Sequence, residues 1–353
     1  MAKLGLPSIE IIFKELGISA IERGESGIVA IVLEDEQATT PKIKDIYSAL
    51  DIEEGIDSKH KELILSCLKG SVKGIRKLIV VTAQDTIKGV KALINCDFNY
   101  LVTPYVEGED CAEIITIVEQ LRADAKMVKY VVANHEADKP YVINFTTGGI
   151  MVGGKEVPTK EFTARITGVI ASMPLSMSVT YHALSEVEDV EALTKDQIDT
   201  KIGQGELVLM NDGRKVKIAR GVTSLSTTGV EIPESFKKIK ILAIADLIKS
   251  DVTMTLQDSY IGKYPCDYDH KCILVSAINS YLQTLEREML LDKGSVCEID
   301  KDAQRLYLES RGIVTGTMTD DQILMANTGD KVFLKVSVKI LDVIEDIKIE
   351  INI

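Results

Sequence analysis

Four short apolar runs, GIVAIVL (27–33), KLIVVTA (77–83), NYLVTP (99–104) and MVKYVVAN (127–134), are separated by stretches of helical length. Each run is too apolar to keep one face wet, which is the composition of a strand covered on both sides. The segments between them predict helices around 42–50, 58–70, 85–95 and 109–125. Strands alternating with helices restrict a chain to βαβ units, because parallel neighbours need a crossover on one face of the sheet. The expected fold class is therefore α/β with a mostly parallel sheet, α+β when the whole chain is counted.

Beyond Tyr141 the pattern changes. YVINFTTGGIMVGGKEV (141–157) predicts hairpins, with Gly148–Gly149 and Gly153–Gly154 at turn positions. A helix is expected from near Thr159 to just before Pro174. A further hairpin is expected over 205–221, turning at Asn211-Asp212-Gly213. After Pro233 a long amphipathic helix is expected from about Ser235, then a loop, IGKYPCDYDHK, and a second helix ended by Gly294. A linker near 222–235 is the expected domain boundary. The expected division is an N-terminal arm (1–22), an outer α/β domain (23–234), a C-terminal domain (235–340) and a C-terminal arm (341–353).

Composition narrows the function classes. A net charge of −13, no tryptophan and 5% aromatics disfavour a nucleic-acid binder, which needs clustered cations and stacking rings. Six cysteines scattered through apolar segments read as reduced thiols, not as a disulfide scaffold. The first residues are broken by Glu10 and Lys14 and do not make a secretory h-region, and no run approaches the length of a membrane helix. A cytoplasmic product without membrane insertion is expected.

The chemistry-bearing residues do not converge. His60, His135, His182 and His270 stand in unrelated contexts, and the nucleophile-elbow, zincin and phosphate-loop motifs are missing. CDYDHKC brings Cys266, Asp267, Asp269, His270 and Cys272 together, but without the paired spacing of a structural zinc site; a polar loop is expected. Thr180, Tyr181 and His182 are consecutive, and adjacent strand residues point to opposite faces, which suits no relay. No catalytic, cofactor or metal residue is assigned. The competing reading is a compact cytosolic α/β enzyme or small-ligand-binding protein, using the strand ends near Thr82–Gln84 and Thr103–Tyr105.

Both ends of the sequence carry strand-like alternation. Ile9, Ile11 and Phe13 alternate near the start, and Ile347, Ile349, Ile351 and Ile353 alternate with Lys348, Glu350 and Asn352. Edge strands offer unpaired N–H and C=O groups, and adding them to a neighbour's sheet satisfies those groups. When donor and acceptor surfaces differ on each copy, such contacts propagate into rings or helical filaments. From the residues alone, a self-assembling structural protein is one reading and the α/β enzyme the other.

Several stretches resemble contractile tail sheath proteins of phages and phage-tail-like bacteriocins, in their short form. They are GLPSIEIIFKELGISAIERGESGIVAIVLED (5–35), ITGVIASMPLSMSVTYHAL (166–184), GELVLMNDGRKVKIARGVTSLSTT (205–228) and YIGKYPCDYDHKCILVSAINSYLQTLE (260–286). The resemblance implies a non-enzymatic subunit, without cofactors, that assembles as hexameric rings or a helical sheath around an inner tail tube. It implies baseplate and tail terminator proteins as further partners, and assembly in the bacterial cytoplasm before release within a particle. It also implies an outward α/β domain of subtilisin-like layout, in fold only. An inner α+β domain would combine the C-terminal part with the N-terminal arm. Contraction from a metastable extended state would drive the tube through a target envelope, with both arms donating strands to neighbours.

The last stretch has an internal break. Val332, Leu334, Val336, Val338 and Ile340 place apolar residues at even positions, whereas Ile347, Ile349, Ile351 and Ile353 place them at odd ones. A one-residue shift inverts every side chain, so the strand must break within Leu341, Asp342, Val343, Ile344, Glu345 and Asp346. Residues 331–340 are expected to form a home strand, 341–346 a hinge, and 347–353 a donated strand. At roughly 3.3 Å per residue that last piece spans about 20–25 Å. Val336 is expected to be buried in its own chain and Ile349 against another.

Overall fold

The structure, a computed structural model, describes residue 21 and residues 27–106, 108–229 and 232–352. The described chain divides into two compact units. Of the described residues, the larger holds 27–253, Glu288–Leu290 and those from Ile340 onward; the smaller holds residue 21, Met254–Arg287 and Leu291–Lys339.

The larger unit is organised on a seven-stranded sheet. Strands β1 (Ile28–Glu34), β2 (Lys42–Ile46), β3 (Lys77–Ala83), β4 (Tyr100–Val102), β5 (Lys129–Ala133) and β6 (Val142–Phe145) belong to it. The order runs from an outlying two-residue strand, Glu206–Leu207, through β6-β5-β4-β1-β3 to β2. All pairings are parallel except that of β2 with β3. In β1, Ile28 to Leu33 are all buried, because helices cover both faces. Val29, Ile31 and Leu33 face α1 (Ser58–Lys69) and a later helix over Thr159–Ser172; Ile28, Ala30 and Val32 face α2 (Thr86–Ala92) and α3 (Glu109–Ala123). The α/β class and the mostly parallel sheet expected from the sequence are the ones observed.

Two segments depart from expectation. The helix expected around 42–50 is the edge strand β2 followed by a short 3-10 turn, Ala49–Asp51. The hairpins expected over 141–157 are only half present. Segment β6 joins the parallel sheet, and the hairpin is β7 (Ile150–Val152) with β8 (Lys155–Val157), turning at Gly153 and Gly154 with φ of 58° and 73°. A third strand, β9 (Val187–Asp189), pairs with β7. Helix α4 (Thr159–Ser172) starts and stops as predicted, and α5 (Lys195–Gly203) follows with a Thr194–Gln197 capping box. In the next segment β10 is the Glu206–Leu207 strand already placed in the main sheet, and β11 (Leu209–Asn211) and β12 (Val216–Ile218) make the expected hairpin.

Helix α4 crosses α1 at very close range. A Cβ on Gly168 would lie 2.1 Å from the Cys67 carbonyl oxygen, so only glycine fits.

The compact larger unit runs on past the linker expected near 222–235. Helix α6 (Ile239–Thr255) belongs to the larger unit through Thr253. Its Leu242 sits in the apolar core beneath the sheet, and its buried Asp246 is gripped by two cations of that unit. Arg122 reaches the carboxylate at 2.7 and 2.9 Å and Lys129 at 2.9 Å. Burial pushes the Asp246 carboxyl up, but Lys129 and Arg122 more than offset this and hold it below the usual carboxylate range.

The smaller unit is built on α7 (Tyr268–Arg287), which ends before the expected stop at Gly294. Its Leu274, Ile278 and Leu282 are buried, and the helix packs against strand β13 (Val296–Ile299). Asn279 clamps that strand by bonding both the N–H and the carbonyl of Cys297, at 2.7 and 2.9 Å. Helices α8 (Lys301–Ser310) and α9 (Asp320–Met325) follow, then β14 (Leu334–Ser337), antiparallel to β13. Among the described residues, no helix is long and apolar enough to cross a membrane.

Candidate assembly site

Strand β14 is the expected home strand, shorter than 331–340. Val336 lies opposite Cys297 in the register, yet Cys297 is buried and Val336 is 42% exposed. The expectation that Val336 is buried in its own chain therefore does not hold. The reason is position: β14 is the outer strand of a two-stranded sheet, and α7 packs against β13.

Ile340 forms an isolated backbone bridge; from it onward the chain belongs to the larger unit, and residues 341–352 join no strand. Ile347, Ile349 and Ile351 are 71%, 76% and 79% exposed. Ile9, Ile11, Phe13 and Ile353 lie outside the described residues.

Of the six residues expected to form the hinge, Leu341, Asp342, Glu345 and Asp346 are held by side chains of the larger unit. Glu345 is the centre of this clasp, with only 5% of its side chain exposed. Its Oε1 accepts hydrogen bonds from Thr180 Oγ1 at 2.6 Å and Ser178 Oγ at 3.3 Å. Its Oε2 lies 2.9 Å from Lys238 Nζ and 3.7 Å from Arg220 Nε, ion pairs off the axis of a hydrogen bond. Arg220 Nη2 lies 2.7 Å from both carboxylate oxygens of Asp346. Lys238 also donates to Asp342 at 2.5 Å, and Lys240 donates to the carbonyl of Leu341. The Leu341 N–H donates to the Leu290 carbonyl at 2.9 Å. Val343 and Ile344 supply no charge; Ile344 points to solvent.

Local backbone geometry shapes the socket. Tyr181 has φ of 58°, a left-handed conformation unusual for an aromatic residue, which leaves its ring exposed. Thr180 Oγ1 accepts from the Gly221 N–H at 3.0 Å, and its hydroxyl lies 2.9 Å from that of Ser178. A side chain on Gly221 would come within 2.7 Å of Val179, so the two segments approach this closely only with glycine there.

Electrostatics agree with the geometry. Burial pushes the Asp342 carboxyl up, but Lys238 and the Val343 N–H outweigh it and keep the group below its ordinary range. Bonding to Asp346 raises the Arg220 guanidinium. Burial lowers the Lys240 ammonium.

Sequence reasoning missed Ser178, Thr180, Arg220, Gly221, Lys238 and Lys240. Thr180 and Tyr181 were weighed only as part of a catalytic relay; the structure uses Thr180 to anchor the arm. The one legible signal was on the arm itself, where three carboxylates interrupt the apolar LDVIED.

The other candidates lie elsewhere. In CDYDHKC, His270 Nδ1 sits 2.6 Å from Asp267, and Cys266 Sγ reaches the Lys331 carbonyl at 3.5 Å. Of the strand ends proposed for an enzyme, Thr103 is buried and its hydroxyl is 2.6 Å from that of Tyr130. Tyr105 packs against His60, with the Lys59 ammonium 5.3 Å from its ring centre.

Comparison with known proteins places this architecture. Residues 80–224 match the model of the phage tail sheath protein central domain, and residues 231–353 match that of the phage tail sheath C-terminal domain. A tail sheath protein of Clostridium phage phiCD119 is 36% identical over 357 residues, covering 99% of each chain. The helical sheath of the anti-feeding prophage in its contracted state shares the fold at a TM-score of 0.69, with 14% identity and 99% of both chains covered. A sheath tail protein of Desulfitobacterium hafniense superposes at a TM-score of 0.68, with 17% identity, over 83% of this chain and 94% of that one. With two sheath domain models covering most of its length and a full-length sheath relative, the chain belongs to the phage tail sheath family.

Proposed function

We propose that the protein is the structural subunit of a contractile sheath in a phage tail or phage-tail-like particle, and that copies are linked by donated strands. The observation that carries the linkage is the contrast within residues 341–352. The root is gripped by the larger unit, while Ile347, Ile349 and Ile351 beyond it stand in water. An alternating apolar row with a fixed root suits strand addition to a neighbouring sheet. The two-stranded sheet β13–β14, with Val336 and Val338 half exposed, offers an edge of the right kind on a second copy.

Donor and acceptor surfaces differ, so the contact is heterologous and propagates into rings or a helix. Such a sheath surrounds an inner tube, is capped by baseplate and terminator proteins, and is assembled in the bacterial cytoplasm. Contraction from a metastable extended state drives the tube through the target envelope without a nucleotide. The enzyme reading has less support, because the hydroxyl of Thr103 is taken up by Tyr130.

Negative-stain imaging of the purified protein tests the reading. Full-length chain should form tubes or rings, and a chain lacking residues 347–353 should remain a folded monomer. Normal polymers from the truncated chain would defeat strand donation.

A further inference from the structure

We infer that Glu345 is the positioning residue of the C-terminal arm, and that the arm pivots after Asp346 instead of across 341–346. Its mechanical meaning rests on the donated-arm reading; the anchor itself does not.

Three observations converge. A carboxylate as buried as that of Glu345 is costly unless paired, and here two hydroxyls and two cations surround it. The socket is shaped independently of the arm, since the Ser178–Thr180 contact, the Gly221 N–H bond and the Tyr181 turn all lie within the body of the larger unit. Flanking groups then fix the direction of the chain: Asp342 is held by Lys238 and Asp346 by Arg220. Arg220, Lys238 and Lys240 face Asp342, Glu345 and Asp346, so the charges balance.

The positions of the anchors set a hierarchy. Glu345 is buried, whereas the Asp346 side chain is 85% exposed. Exposed pairs are screened by salt and buried ones much less. Asp346–Arg220 is thus an outer latch that sets the angle of departure, and Glu345 the fixed point behind it. A pull on residues beyond Asp346 passes through Glu345 into the α/β body before it reaches β14 along the chain.

A glutamyl-specific protease applied to unassembled full-length protein tests the anchor, with C-terminal peptides read by mass spectrometry. Cleavage requires local opening, so its rate follows the open population. In the native chain, the cut after Glu350 should be about tenfold or more faster than the cut after Glu345. Thr180→Val and Lys238→Ser should each bring the Glu345 cut toward the Glu350 rate. Arg220→Glu should loosen the latch, and adding Asp346→Arg should restore protection, a rescue that simple misfolding would not give. Equal rates at Glu345 and Glu350 in the native chain overturn the inference, even if every variant fails to fold. If residues 347–353 prove dispensable for polymers while Glu345 stays protected, strand donation fails and the anchor stands.

Discussion

Thr180 Oγ1 donates a 2.6 Å hydrogen bond to the Glu345 carboxylate across 165 positions of sequence. Thr180→Val keeps the shape of the side chain but removes the donor, leaving Glu345 buried beside one fewer partner. The unassembled chain should lose about 1–3 kcal/mol of unfolding free energy, read from the denaturant midpoint at unchanged slope. A neutral result would mean that the arm root is already detached in solution.

The Asp246 triad gives a second, independent test in the larger unit. Asp246→Ala leaves Arg122 and Lys129 buried without their counter-ion and should cost about 3–5 kcal/mol. Lys129→Met should cost less, because Arg122 still pairs with the carboxylate.

The same group sets a pH dependence. The folded-state pKa of Asp246 is held below the ordinary 3.8 by its cations, so its contribution is complete above that value. It is lost as pH falls through the depressed value. Acid titration of unfolding should show a steeper loss below about pH 3.8 in the native chain than in Asp246→Asn. Parallel curves would show that the pair contributes nothing to acid stability.

Close packing of α1 on α4 predicts a contrast between glycines. Gly168→Ala forces a methyl against the Cys67 carbonyl and should destabilise by about 1–3 kcal/mol or more. Gly203→Ala, at the end of α5 with open space around it, should be neutral or slightly stabilising. Thermal melts of the two variants provide the comparison.

The exposed row of the arm predicts a separation of folding from assembly. Ile349→Lys changes a side chain that is 76% exposed, so unfolding of the unassembled chain should shift by no more than about 0.5 kcal/mol. Polymer yield by sedimentation should nevertheless drop sharply, while Glu350→Lys on the opposite face should leave it intact. Equal yields for both variants would count against a one-faced strand contact.

The sheet was legible where local pattern and tertiary environment agree. The four apolar runs became β1, β3, β4 and β5, because a short run dominated by apolar residues has few other homes. Strand β2 was not legible, for a definite reason. Ile43, Ile46, Tyr47 and Leu50 fall at helical spacing, the same period as a helix face. In the structure, residues 42–46 pair with β3 instead, and Ile43, Tyr47 and Leu50 remain exposed. The break between two strand registers at 341–346 was visible as a change of parity. Its use as a clasp was not, because Ser178, Arg220 and Lys238 come from distant segments and carry no shared spacing.

The route of the chain has a consequence for the order in which the molecule comes into being. The larger unit is not completed by its own contiguous stretch: Glu288–Leu290 return to it midway through the smaller unit, and the residues from Ile340 onward return after that unit has been traversed. A nascent chain folds from its N-terminal side as it emerges. The hydroxyls of Ser178 and Thr180 and the cations Arg220 and Lys238 are all synthesised before β13 and β14. Glu345 follows β13 and β14 along the chain, so the arm acquires a fixed direction only once both have been synthesised. On the strand-donation reading, a half-made copy has a socket but no aimed strand, and it is poorly equipped to add itself to a growing polymer.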